Sequence, residues 1–179
     1  MSALQALTVL LVDDNQHMRA ITSTILQSAG IRRIREVADG AAALEVMRDH
    51  PVDLAIVDFN MFPLDGVEFT RLVRNSPESP NPYLPIIMMT GHSEKARVME
   101  ARDAGVTEFV VKPITAKAIF DRIQAVIFRP RAFVKTDSYF GPDRRRTDTP
   151  SYRGPFRRST DSAEKRQAAE GSSAAGNAA

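Results

Sequence analysis

The sequence has no cysteine, which excludes disulfides, thiolate metal sites and cysteine nucleophiles together. It has no unbroken apolar run of about eighteen residues, so no membrane-spanning helix is expected. Histidine is scarce. His17, His50 and His92 are scattered without metal-ligand spacing and read as surface residues. Residues 1–7 lack the basic segment and long apolar core of a secretory leader. The expected location is therefore the cytoplasm.

Within the 179 residues, 43 % are hydrophobic, enough for one ordinary domain with a real core and something extra. The net charge of +2 is unevenly placed. Residues 1–128 carry 13 Lys+Arg against 16 Asp+Glu; residues 129–179 carry 11 against 6. This asymmetry divides the chain into an acidic folded domain, 1–128, and a basic tail, 129–179, of different character.

The domain is organised around Leu54-Ala55-Ile56-Val57-Asp58, an apolar run that ends in a carboxylate and reads as a strand buried on both faces. Asp58 at its end is a helix cap, a metal ligand or a nucleophile. Similar runs are Thr8–Val12, ending at Asp13-Asp14; Ile34–Ala38; Ile86–Met89, ending at Thr90; and Phe109–Val111, ending at Lys112. Helical segments lie between them. Asn15 caps one running to Ala29, with Met18, Ile21, Ile25 and Ala29 along one side. Ala41–Asp49 is Ala-rich. Gly66 opens a third, with Val67, Phe69, Leu72 and Val73 available for packing. Ser93 caps a fourth, and Thr115 starts the last, whose stripe is Ile119, Ile123, Val126 and Ile127. Residues 75–85 hold four prolines in eleven positions and can only be a loop.

Five alternations of strand and helix predict a parallel sheet with right-handed crossovers and helices on both faces. Strand ends then share one edge, where Asp13, Asp14, Asp58, Thr90 and Lys112 converge. Three carboxylates there repel one another and call for a hard cation such as Mg2+. A lysine neutralises a transferred phosphoryl group, a threonine hydroxyl hydrogen-bonds it, and an aspartate can carry it as an acyl phosphate.

These motifs, with Asp58-Phe59-Asn60-Met61, Leu64-Asp65-Gly66 and Lys112-Pro113, resemble the receiver domain of two-component response regulators, close to the single-domain chemotaxis type. The resemblance covers roughly residues 7–128. It implies a flavodoxin-like fold with Asp58 as phosphoacceptor, and Mg2+ bound by Asp13, Asp14, Asp58 and the backbone carbonyl of Asn60. It also implies Lys112 on the phosphoryl group, Thr90 and Phe109 as the switch pair, and a cis Lys112–Pro113 bond. The implied role is a phosphorylation-dependent signalling switch, regulatory rather than metabolic. A histidine kinase or phosphotransfer protein would supply it, and an output protein not named by the sequence would read it. The chain departs from the pattern in having Phe62 before Pro63, in Phe109 where a tyrosine is usual, and in its long proline-rich loop. A hydrolytic phosphatase with an Asp nucleophile would need a second acid two residues on, where Asn60 stands. A phosphorylation-independent interaction module is the remaining rival, and the intact acidic set argues against it.

The tail repeats itself. Tyr139-Phe140-Gly141-Pro142-Asp143-Arg144-Arg145 returns thirteen residues later as Tyr152-Arg153-Gly154-Pro155-Phe156-Arg157-Arg158. Arg144, Arg145, Arg157 and Arg158 are candidate contacts for an acidic surface, the domain's own or a partner's. Nucleic acid is disfavoured because the charge is modest and no helix-turn-helix pattern remains. The tail is expected to be largely irregular, anchored if at all by Phe133, Val134, Tyr139, Phe140, Tyr152 and Phe156. Residues 170–179 are low-complexity and expected to be disordered.

Overall fold

A computed structural model of the chain describes the backbone of residues 3–91 and 95–144, with side chains for 4–91 and 97–144. The five apolar runs form strands β1 (Thr8–Val12), β2 (Arg33–Val37), β3 (Leu54–Asp58), β4 (Ile86–Thr90) and β5 (Glu108–Val111). Between and after them come helices α1 (Gln16–Ser28), α2 (Gly40–Asp49), α3 (Gly66–Asn75), α4 (Lys95–Ala104) and α5 (Ala116–Phe128). The strands make one parallel sheet in the order β2-β1-β3-β4-β5. Central β3 is buried at every position, as its unbroken apolar run requires.

Side-chain parity divides the core in two. Val9, Leu11, Ile56 and Ile87 face Leu26 of α1 and Ile119 and Ile123 of α5. Leu10, Val12, Ala55, Val57 and Ile86 face Ala43 and Met47 of α2 and Phe69 and Val73 of α3. Helix α4 adds Ala101 and Ala104 against Phe59, Val67 and Met88. The caps are local and sequence-encoded: Asn15, Asp39, Asp65 and Thr115 each accept backbone N–H bonds from the helix that follows. Asp65 and Glu68 complete a capping box, an arrangement that contributes about 1 kcal/mol.

Two helix faces differ from the expected stripes. In α1 the buried residues are Thr22, Ser23 and Leu26, whereas Ile21 is half exposed. In α3, Val67, Phe69 and Val73 are buried as expected, but Leu72 lies outward. Ile25 packs against the core as expected, but the buried hydroxyl residues Thr22 and Ser23 are not marked by polarity.

The larger difference is at the C-terminus. Regular structure does not stop at Phe128. Strands β6 (Phe133–Thr136) and β7 (Tyr139–Pro142) form an antiparallel hairpin across the two-residue turn Asp137-Ser138. Phe133 and Phe140 meet Tyr83 of the proline-rich loop, at centroid distances of 5.3 and 5.1 Å. Beneath them lies Arg74, almost wholly buried. Its Nε donates to the Gly105 carbonyl at 3.1 Å, its Nη1 to the Pro82 carbonyl at 2.8 Å, and its guanidinium faces the Phe133 ring. Burial pulls this guanidinium down to about 10. Gly105, at φ +103°, has no room for a Cβ, which would stand 2.7 Å from the Phe140 carbonyl oxygen. Arg131 bonds the Thr107 carbonyl and Glu108, and Arg144 pairs with Asp103 at 3.0 Å while stacking on Tyr139.

The compact unit therefore runs to Arg144, and the boundary expected at Phe128 moves accordingly. The physical reason is that the hairpin's aromatics bury against the loop and α3. Arg145, Arg157, Arg158, the second Tyr-x-Gly-Pro-x-Arg-Arg box, residues 170–179, His92 and the Ser93 cap lie outside the described residues.

Candidate functional site

The site is built where β1, β3, β4 and β5 end. Asp13 follows β1 and is fully buried; Asp58 closes β3 and is 6 % exposed; Thr90 closes β4 and is 2 % exposed. Lys112 follows β5 and is anchored by its own N–H, which donates to the Thr90 carbonyl at 2.8 Å. Its Nζ reaches Asp58 Oδ1 at 2.7 Å and lies 3.9 Å from Asp13 Oδ2. The Phe59 N–H also donates to Asp58 Oδ1, at 2.8 Å.

The close approach of α3 holds β3's end in place. A Cβ on Gly66 would stand 2.4 Å from the Asp58 carbonyl oxygen, so only glycine lets the helix begin there. The Gly66 N–H returns a bond to the Phe59 carbonyl at 3.2 Å.

Carboxylate oxygens of Asp13, Asp14 and Asp58 all lie within 4.8 Å of one another. Asp13 Oδ1 accepts the Asn15 N–H at 2.8 Å, while Oδ2 is buried with no hydrogen-bond partner. Burial pushes the Asp58 carboxyl up to about 6 from 3.8, against the opposing pull of Lys112. Burial likewise raises Asp13. One lysine cannot balance three carboxylates. The uncompensated charge, the all-oxygen donors and the unsatisfied Oδ2 together fit a small hard divalent cation.

The structure thus brings together Asp13, Asp14, Asp58 and Lys112, with Thr90 one strand over. Phe109 is half buried, beside Met88 in the strand register and packed against the Phe59–Val67–Met88 cluster. Both Lys112–Pro113 and Phe62–Pro63 are cis, the second unforeseen from sequence, and Phe62 is 84 % exposed. Arg144 is not part of this site; it belongs to the hairpin contact with Asp103.

Sequence reasoning missed Arg97. From the first turns of α4 its Nη1 donates to Asn60 Oδ1 at 3.2 Å and its Nη2 to Asp65 Oδ2 at 2.9 Å, with the guanidinium 4.5 Å above the Phe59 ring. No local signal marks it, because its partners lie more than thirty positions earlier.

Known proteins resemble this chain over the same stretch. Residues 9–124 match the response regulator receiver domain. The chemotaxis protein CheY of Pseudomonas aeruginosa is 32 % identical over 121 residues, 68 % of this chain and 96 % of that protein. Among solved structures, the chemotaxis response regulator CheY4 of Vibrio cholerae superposes with a TM-score of 0.61 at 32 % identity, covering 68 % of this chain and 98 % of its own. The receiver domain of a sensor histidine kinase from Pseudomonas aeruginosa, solved with a magnesium ion coordinated in its active site cleft, gives 0.59 at 26 % identity, covering 66 % and 94 %.

Proposed function

This chain belongs to the response regulator receiver domain family, and on that premise we propose that it is a phosphorylation-dependent signalling switch whose phosphoacceptor is Asp58. The observation that carries the reading is Lys112 Nζ at 2.7 Å from Asp58 Oδ1, at the sheet edge that also holds Asp13. In the step, an Asp58 carboxylate oxygen attacks the phosphorus of a phosphohistidine. The P–N bond breaks, the imidazole takes up a proton, and an acyl phosphate remains.

Asp13, Asp14, Asp58 and the Asn60 backbone carbonyl would hold Mg2+, which would neutralise the phosphoryl oxygens. Lys112 leaves its ion pair with Asp58 for a phosphoryl oxygen. Thr90, at the end of the neighbouring strand, offers its hydroxyl to another. Phe109, half buried beside β4, is the side chain whose packing responds to Thr90's movement. Phosphorylation then shifts a two-state equilibrium.

The donor on this reading is a histidine kinase or phosphotransfer protein. The output is protein contact, the role regulatory rather than metabolic, and the compartment the cytoplasm. Among the described residues no helix is long and apolar enough to cross a membrane. The test is incubation with acetyl phosphate and Mg2+ followed by intact mass measurement. One phosphoryl group on the wild type and none on Asp58→Ala is the expected result. No uptake by the wild type, or equal uptake by the variant, refutes the assignment.

A further inference from the structure

The acyl phosphate on Asp58 ends its life by hydrolysis. A water oxygen attacks phosphorus, the P–O bond to the carboxylate breaks, and free Asp58 carboxylate and inorganic phosphate result, with one proton released to solvent. There is little covalent chemistry for the protein to do beyond orienting that water, which needs a hydrogen-bond acceptor beside the attack path. The residue two positions after Asp58 lies in the loop that follows β3. It is Asn60, exposed and neutral, and its carboxamide oxygen is such an acceptor.

That oxygen is engaged elsewhere. Arg97 Nη1 donates to Asn60 Oδ1 at 3.2 Å. The arginine itself is held in place from three sides: Asp65 Oδ2 lies 2.9 Å from Nη2, Glu100 Oε2 lies 3.9 Å from Nε, and the Phe59 ring lies 4.5 Å below. A guanidinium has the forked geometry to bond Asn60 and Asp65 at once; a lysine ammonium is a single point charge and does not span them. The arrangement fixes the carboxamide and sets a cation against its oxygen, which weakens that oxygen as an acceptor for water. Arg71 and Glu100 make a second ion pair between α3 and α4, at 2.9 Å.

We propose that Arg97 is a positioning residue that lengthens the life of the phosphoryl group on Asp58 by holding the Asn60 carboxamide oxygen away from the attacking water. The inference rests on Asp58 being the phosphoacceptor. It adds a determinant of signal duration, located on α4 and acting through Asn60.

The test loads the full chain with acetyl phosphate and Mg2+, removes the donor, and follows first-order loss of the acyl phosphate by intact mass. The decay constant is independent of how much was loaded. Arg97→Ala is expected to decay about fivefold faster than wild type, the effect of releasing one charge-assisted hydrogen bond. Arg97→Lys is also expected to decay faster, because it keeps the charge without the fork. In an Asn60→Ala background, Arg97→Ala is expected to change nothing, which a merely structural role for Arg97 would not produce. Decay of Arg97→Ala at the wild-type rate overturns the proposal, as does an equal acceleration in the Asn60→Ala background. If the wild type loads and only these differences are missing, the Arg97 inference falls alone. If the wild type takes up no phosphoryl group, the phosphoacceptor reading falls with it.

Discussion

Replacing Asp58 by Asn is expected to make the metal-free protein more stable, by an amount that depends on pH. The Asp58 carboxyl has its folded value raised to about 6 from 3.8, with burial as the largest cause. A raised folded value means that the folded state binds the proton more tightly than the unfolded chain. Its contribution is fully present below about pH 4 and is lost as pH rises through about 6. A rise of that size corresponds to roughly 3 kcal/mol, so the ionised carboxylate costs up to about that much at pH 7.5. Asp13, shifted in the same direction, adds to the trend. The Asp58→Asn variant would keep the shape and remove the ionisation, at the expense of the Lys112 ion pair. A net gain of about 1–3 kcal/mol at pH 7.5 therefore follows, or several degrees in Tm for a domain of this size. At pH 4 the gain vanishes. The assay is thermal unfolding in EDTA across pH 4–8, followed by the same series with Mg2+, which should stabilise the wild type more than Asp58→Asn. A variant less stable than wild type at pH 7.5 in EDTA, or one whose gain persists unchanged at pH 4, refutes the reasoning.

Two further outcomes follow from contacts outside the carboxylate cluster. A chain ending at Phe128 loses the ring contacts around Tyr83 and the aromatic face over buried Arg74, and Phe140→Ala loses part of them at about 2 kcal/mol; the truncated chain should show the larger drop in urea midpoint, and an unchanged midpoint would remove the hairpin from the folded unit. Gly66→Ala places a Cβ 2.4 Å from the Asp58 carbonyl oxygen, so the strand end must shift at a cost of about 1–3 kcal/mol; phosphoryl uptake slowed well beyond that of a variant with equal stability loss elsewhere is expected, and normal uptake would show that this approach does not position Asp58.

The carboxylate cluster was legible in the sequence because topology does the assembling. Once five runs are parallel, whatever follows Val12, Val57, Met89 and Val111 shares an edge, and neither side-chain detail nor helix packing can undo that. The inner faces of helices are decided differently. Thr22 and Ser23 are buried and Ile21 is not, and the polarity of a small side chain does not say which way its helix turns it. Arg97 lay out of reach for a third reason. Its role is set by the register between α4 and the loop after β3, a tertiary quantity that no window of sequence contains.

The long proline-rich loop is a departure from the family pattern, and the C-terminal segment reads in the sequence as a separate tail. They are one. The loop carries Tyr83 and the Pro82 carbonyl; the hairpin carries Phe133 and Phe140; Arg74 bonds the loop and stacks under the hairpin. Neither is satisfied alone, since a loop of four prolines gives few backbone donors of its own and a two-stranded hairpin is at best marginal in water. The shared Tyr, Gly, Pro and Arg of the first box are the residues that shape this contact. The Tyr139 hydroxyl donates to the Pro142 carbonyl at 2.8 Å, Gly141 leaves room for Gly105, and Arg144 covers the Tyr139 ring. The sequence held the signal in Phe133-Val134 and Tyr139-Phe140 flanking a two-residue Asp-Ser turn. What it did not hold was the surface those aromatics would cover, and that surface is what makes residues 129–144 part of the compact unit.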